Sequence, residues 1–144
     1  MDRRELIGKI GLGATAMVMA KPLLASHHEK GHASKNPLAD LTHASAMCTA
    51  AAEACLAHCI VMLSKGDKKM ADCAKAVSEM IPLCRAMTSL SAQNSDYAKR
   101  ISAACVDACK ACKKVCQEHK KHDVCKDCAK ACDALIKASK KAFG

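Results

Sequence analysis

The chain has 144 residues, of which 12 are cysteine, while Phe and Tyr occur once each and Trp is absent. This length is typical of one domain, but so few aromatic residues leave little ordinary core material. The formal net charge is +9, and no aromatic residues lie among the lysines to stack on bases, so the charge indicates a solvated surface and not a nucleic-acid interface. The cysteines lie in Ala- and Lys-rich sequence that favours helices, which excludes a loop-rich disulfide scaffold as the simplest reading.

Residues 1–25 have the pattern of a twin-arginine export signal. Two arginines at positions 3 and 4 precede an apolar run over residues 10–20, which is too short to span a bilayer. Cleavage is expected after Ala25, with Ala20 or Ala33 as alternatives; a basic amphipathic N-terminus of a cytosolic protein is the other reading. This route exports folded proteins, so the thiols would be protected from random pairing, and we expect a periplasmic or other location outside the cytosol.

Removing residues 1–25 takes away four basic and two acidic side chains, which leaves a basic chain with a formal charge of +7. Residues 26–36 contain three histidines and are predicted to form a flexible tail, in which weak metal binding is less expected than a plain linker role. The sequence therefore predicts a single functional domain over residues 37–144.

The first helix is predicted to begin at Asn36-Pro37, an N-cap followed by proline at the first helical position, and to end near Ser64. Gly66 is the expected C-terminal stop. At a spacing of seven residues, the predicted inward positions are Leu41, Cys48, Cys55 and Met62.

The second helix is expected to be capped by Asp67, to run to about Ser89 and to be kinked by Pro82. At alternating steps of three and four, its predicted inward positions are Met70, Cys73, Val77, Met80, Cys84 and Met87.

The third helix is predicted from Ser95-Asp96 to His119 or Lys120, and the fourth from Asp123, or His122 just before it, to about residues 142–144. The predicted inward positions of the third are Ile101, Cys105, Cys109, Cys112, Cys116 and His119. Those of the fourth are Cys125, Cys128, Cys132 and Leu135.

Three short connections make neighbouring helices antiparallel, so the simplest all-α assembly is an up-down-up-down four-helix bundle with a cysteine-lined core. One end of this bundle is expected to be rich in sulfur and imidazole and to admit metal; it collects Cys59, Met62, Met70, Cys73, Cys116, His119, His122 and Cys125. The other end is expected to be plugged by large side chains, including both aromatic ones; it collects Leu41, Met87, Leu90, Tyr97, Ile101, Leu135, Ile136 and Phe143.

Most of the cysteines are spaced so that two thiols of one helix could bind the same metal, because residues three or four apart lie on one face with their Cβ atoms roughly 5–6 Å apart. The four-residue pairs are Cys55/Cys59, Cys105/Cys109, Cys112/Cys116 and Cys128/Cys132, and the three-residue pairs are Cys109/Cys112 and Cys125/Cys128. Cys48, Cys73 and Cys84 lack such partners and are expected to need a thiol from a neighbouring helix.

This donor set favours Cu(I), since soft thiolates and thioethers prefer Cu(I) with two or three sulfurs, whereas Zn(II) typically requires four ligands. One monovalent ion per thiolate also leaves the interior near neutral. We therefore predict about one Cu(I) per cysteine, on the order of a dozen per chain, with binding that weakens as the pH falls.

Non-cysteine ligands are expected at the sulfur-rich end. These are Met62, Met70, His119 and His122. Met80 and Met87 are expected to be core residues more than ligands, and His43 and His58 to lie on the surface or on a helix face without binding metal.

With its twin-arginine pattern and its repeated C-x-x-x-C and C-x-x-C on four antiparallel helices, the chain resembles the bacterial copper storage proteins over roughly residues 37–143. The resemblance implies a four-helix bundle whose cysteines bind many Cu(I) ions, mostly between two thiolates, with Met or His ligands at the open end. It also implies a homo-oligomer, with a tetramer suggested. Ala51, Val77 and Ser102 stand at inward positions where a cysteine is possible, so capacity can differ among relatives.

Two alternatives stay open. The protein could serve copper detoxification or transfer with few sites, exchanging copper with other proteins. It could be a helical interaction module stapled by zinc or disulfides. A thiol–disulfide oxidoreductase is disfavoured, because the C-x-x-C at Cys109 lies within a helix and the one at Cys125 lacks a βαβ pattern, so no enzyme is predicted.

Overall fold

The computed structural model describes residues 37–144. The predicted signal, the tail and the Asn36 cap lie outside the described residues. The described part contains four α-helices, a short 3₁₀ helix and no strand, which confirms the all-α prediction. In chain order these are α1 (Pro37–Ser64), the 3₁₀ helix (Lys68–Met70), α2 (Ala71–Ala92), α3 (Asp96–Glu118) and α4 (Asp123–Phe143).

The connection between α1 and α2 differs in detail from the prediction. Gly66 has a φ of +88°, in the left-handed region where a Cβ would be strained, so glycine suits the end of α1. The Asp67 side chain accepts a hydrogen bond from the Lys69 N–H and caps the 3₁₀ helix, and α2 then begins at Ala71. The second helix ends at Ala92, three residues beyond its expected end, because no residue after Ser89 interrupts the helical hydrogen bonding.

The starts of α3 and α4 agree with the sequence. The Ser95 hydroxyl accepts a hydrogen bond from the Tyr97 N–H at the start of α3, and His122 is the N-cap of α4, directly before Asp123. The N-cap residues in the sequence therefore predicted the starts of α3 and α4 correctly.

Each helix packs against two neighbours. In the described residues the backbone of α1 lies against α2 and α4, and that of α3 lies against the same two helices, so α1 and α3 face each other across the core. The start of α1 contacts the end of α2 through Thr42 Oγ1, which donates to Ser91 Oγ at 2.9 Å. The start of α3 contacts the end of α4 through the hydroxyls of Ser102 and Ser139, 2.6 Å apart. These contacts fit the antiparallel up-down-up-down bundle.

The end of the bundle that contains these hydroxyl pairs is closed partly as predicted. Leu41, Met87 and Leu135 are fully buried there. Tyr97 is not part of the plug, because it is 60% exposed and the Arg100 guanidinium lies 5.2 Å from the centroid of its ring. Paired hydroxyls thus take part in the closure, together with aliphatic side chains.

Sulfur forms most of the core. All twelve cysteines have an exposed fraction of 0%, and none forms a disulfide. The six large apolar side chains that are equally buried are Leu41, Met70, Val77, Met80, Met87 and Leu135. Small thiols in place of aromatic rings explain how four helices can pack with so little ordinary core material.

One described helix, α1, is long and apolar enough by length and composition to cross a membrane, with a mean hydropathy of 1.7 over the best window of Leu38–Ser64. Buried core helices of soluble proteins meet the same criterion. In this bundle the inward face of α1 is buried in the core, while Met47, Ile60 and Val61 are exposed on its outer surface. Both faces therefore contribute to its apolar composition.

Candidate metal centre

The cysteine sulfurs form five groups of three in the described residues, and within each group the sulfurs lie within 4.8 Å of one another. The groups are Cys84/Cys105/Cys109, Cys48/Cys109/Cys132, Cys112/Cys128/Cys132, Cys55/Cys116/Cys128 and Cys55/Cys59/Cys73. Every group combines thiols from at least two helices. The sites are therefore created by packing the helices together.

Consecutive groups share a sulfur. Cys109, Cys132, Cys128 and Cys55 each belong to two groups. Cys125 belongs to none, but its sulfur lies 3.7 Å from that of Cys55. All twelve thiols are thus connected in one continuous row along the bundle, which we call the sulfur track. A soft metal ion could pass along it by exchanging one shared sulfur at a time.

The predicted cross-helix partners of the three isolated cysteines are present. Cys48 lies 3.9 Å from the sulfur of Cys132 on α4. Cys73 lies 3.7 Å from Cys116 on α3, and the sulfur of Cys84 lies 3.9 Å from that of Cys109. Each of these thiols therefore has a sulfur neighbour on another helix, as expected.

The predicted same-helix pairs are only partly reproduced. Three of the four-residue pairs, Cys55/Cys59, Cys105/Cys109 and Cys128/Cys132, each lie within one group. The fourth, Cys112/Cys116, is in contact at 3.8 Å. The three-residue pairs Cys109/Cys112 and Cys125/Cys128 share no group, although the members of each pair have a sulfur neighbour in common, Cys132 and Cys55 respectively.

Burial keeps thiols at the open end of the track protonated when no metal is bound. Desolvation raises the pKa of Cys59 to about 12 and that of Cys125 to about 12. Further along the track, hydrogen bonds from the thiols of Cys112 and Cys116 lower the pKa of Cys128, since they stabilise its thiolate. A core with many thiolates is costly unless cations neutralise it, so metal binding must accompany deprotonation.

The remaining predicted ligands lie at the sulfur-rich end. Met70 is fully buried, and Met62, His119 and His122 are partly exposed. His122 Nε2 is buried and lacks a hydrogen-bond partner in the part of the chain that is described. Burial and the nearby His58 lower the pKa of His122, which favours the neutral imidazole that metals require. An unpartnered ring nitrogen at this end is suited to bind an incoming ion.

His58, which was expected on the surface or on a helix face without binding metal, contacts a predicted ligand. Its Nε2 lies 3.0 Å from His122 Nδ1, and the ring centroids are 4.7 Å apart. The antiparallel topology contained a usable signal, since it brings the last turns of α1 next to the start of α4. The rotation of α1 about its axis decides which of its faces contacts His122. The spacing of residues along the sequence does not give this rotation.

The bundle and its core of free, connected thiols define a soft-metal-binding protein. The profile of the copper storage protein family matches residues 34–143, which is most of the chain, and the chain belongs to that family. A search of curated proteins found no match. Family membership confirms the resemblance noted from the cysteine spacing, and it favours a storage role without catalysis.

Proposed function

We propose that the protein stores Cu(I) on the sulfur track, with about one ion per cysteine, on the order of a dozen per chain. The observation that carries this proposal is the connection of eleven buried thiols through shared three-sulfur groups, with the twelfth, Cys125, 3.7 Å from the sulfur of Cys55. A transfer or structural site needs only a few ligands, whereas a continuous track provides positions for many ions.

The identity of the metal follows from ligand number and charge. Zn(II) typically requires a closed tetrahedron of four ligands, but the sulfurs gather in threes and shared sulfurs serve two groups. Cu(I) accepts two or three sulfurs, and each ion cancels the charge of one thiolate. A dry core filled in this way stays near neutrality, which a divalent ion at the same density would not achieve.

Anaerobic titration of the reduced protein with Cu(I) against a chromophoric competitor tests the proposal. In the unsubstituted protein we expect tight binding to saturate at about one ion per titratable thiol. A parallel thiol count gives the number of reduced cysteines with which the number of bound copper ions is compared. Saturation at one or two ions would favour a transfer protein or a stapled module, and loss of helical circular dichroism in the metal-free protein would favour stapling. Repeating the titration at lower pH should weaken binding, because protons compete for thiolates.

Copper is proposed to enter at the end formed by Met62, Met70, His119 and His122. Burial of His122 Nε2 without a partner in the described part supports His122 as a ligand. If the His122 Nδ1–H donates to His58 Nε2, the Nε2 of His122 retains the lone pair that a metal needs. His58 is thereby a positioning residue that fixes the tautomer and ring orientation of His122.

Replacing His58 with leucine is expected to slow copper uptake severalfold while leaving the final capacity unchanged, because the twelve thiols remain. His58→Gln should retain much of the rate, since its amide oxygen can accept the His122 Nδ1–H. Stopped-flow transfer from a Cu(I) competitor complex measures the rate. The control is His43→Leu, an exposed histidine of the same helix. Equal rates for the two leucine variants would contradict the positioning role.

Export and self-association complete the proposal. The arginine pair and apolar run support export by the twin-arginine route, and cell fractionation of the native protein tests it.

Exposed Met47, Ile60 and Val61 on α1 support contact between copies in a homo-oligomer. Sedimentation velocity should then give a mass greater than one chain.

A further inference from the structure

A methionine of α2 contacts the middle of the sulfur track. Met80 is fully buried, and the Cys132 thiol donates a hydrogen bond to its thioether sulfur at 3.4 Å. This distance is shorter than the thiol–thiol hydrogen bonds of the core, which span 3.7–3.9 Å. Among the methionines of the described residues, Met80 is the one whose thioether accepts a hydrogen bond from a cysteine.

The position of Met80 in the track is central. Cys132 belongs to two adjacent three-sulfur groups, so a ligand beside it lies next to two metal positions. Along α2, Met80 stands seven residues after Cys73 and four before Cys84, on the inward face that carries both thiols. The thioether of Met80 is therefore the sulfur that α2 presents between its two thiols.

We propose that Met80 is a core ligand, whose thioether completes a three-sulfur Cu(I) site with Cys132 and Cys48. Cys48 Sγ lies 3.9 Å from Cys132 Sγ, close enough for both to bind one ion. On binding, the ion displaces the thiol protons of Cys48 and Cys132 to solvent, whereas the thioether has no proton to lose. The inference rests on the proposed storage function.

A neutral ligand has a particular value at this position. If Cys109, the third thiol of the group with Cys48 and Cys132, bound the same ion as a thiolate, the site would have one Cu(I) and two excess negative charges. A thioether adds a soft donor without adding charge. Methionine as a mere core filler would need only apolar neighbours. Its sulfur instead contacts the sulfur of a proposed ligand, and this contact distinguishes Met80 from Met87, which is equally buried but accepts no thiol hydrogen bond in the described part.

Selenium-edge X-ray absorption of selenomethionine-labelled, copper-loaded protein tests this directly. The background variant Met62→Leu/Met70→Leu removes thioethers from the open end. We expect a selenium–copper scattering shell in this background, its loss on adding Met80→Leu, and its persistence on adding Met87→Leu as the matched control. Leucine conserves the volume of methionine closely enough for the bundle to fold, which circular dichroism checks.

The possible failures can be told apart. A copper-loaded background protein that shows no selenium–copper shell would overturn the role of Met80 and leave the storage proposal standing, because all twelve thiols remain in this background. A shell that survives Met80→Leu would assign the scattering to another methionine and also overturn it. Uptake of only one or two ions by the unsubstituted protein would defeat the storage function itself, together with this inference.

Discussion

Replacing Cys55 and Cys109 together with serine is expected to remove about twice as many bound copper ions as replacing Cys59 and Cys105. Cys55 and Cys109 each belong to two three-sulfur groups, so the first variant alters four of the five groups. Cys59 and Cys105 each belong to one, so the second alters only two. The effect follows because a bridging sulfur contributes to two metal positions.

The two double variants are closely matched. Each removes two buried thiols, and each exchanged residue lies four positions from its counterpart on the same helix. Anaerobic Cu(I) titration with a thiol count measures the loss in each variant. An equal loss would mean that the sulfurs bind copper independently, and the idea of shared positions would then be wrong.

The reduced, metal-free protein is expected to lose stability as the pH rises from 9 to 12. The pKa of Cys59 and of Cys125 is raised in the fold from 9.0 to about 12 by burial, so below pH 9 both thiols are neutral in the folded and unfolded states and the fold keeps its full stability. Above pH 9 the unfolded chain releases these protons and is favoured. Each thiol then costs about 1.4 kcal/mol per pH unit until its folded pKa is reached.

Two such thiols over this window can cost roughly 8 kcal/mol, which is comparable to the whole stability of a typical domain. Urea unfolding under reducing, anaerobic conditions at a series of pH values measures the slope. The variant Cys59→Ala/Cys125→Ala should show a shallower dependence, since neither alanine titrates. Copper-loaded protein should also be less sensitive, because its thiolates have already lost their protons. Identical slopes for the variant and the unsubstituted protein would contradict the assignment.

The sequence was sufficient for the features that depend on one helix at a time. Pro37, Ser95 and Asp123 mark the helix starts at their true positions, and the steps of three, four and seven placed all twelve cysteines in the core. The short connections then left few arrangements for four helices. The thiols and their charge already favoured Cu(I), and the family resemblance agreed with that prediction.

Features that depend on helix rotation and on individual rotamers were not predictable in this way. The contact of His58 with His122 was not foreseen, since His58 was expected on the surface or on a helix face, while Tyr97 was expected in the plug and is exposed. Met80 was expected to be ordinary core, but it faces the thiol of Cys132. Helical spacing gives the face of a side chain within about one position, whereas these contacts depend on differences of a few ångströms between neighbouring helices.

The hydroxyl pairs at the closed end have a consequence for the order in which copper leaves. Thr42 with Ser91 and Ser102 with Ser139 close this end with oxygen, a poor ligand for Cu(I), so within the described residues the sulfur-lined opening of the proposed store lies at the other end. Ions bound deepest, near Cys84, must then pass through every position nearer the opening. The last ion to bind would therefore be the first to leave. A protein with few copper ions would release them more slowly than a full one.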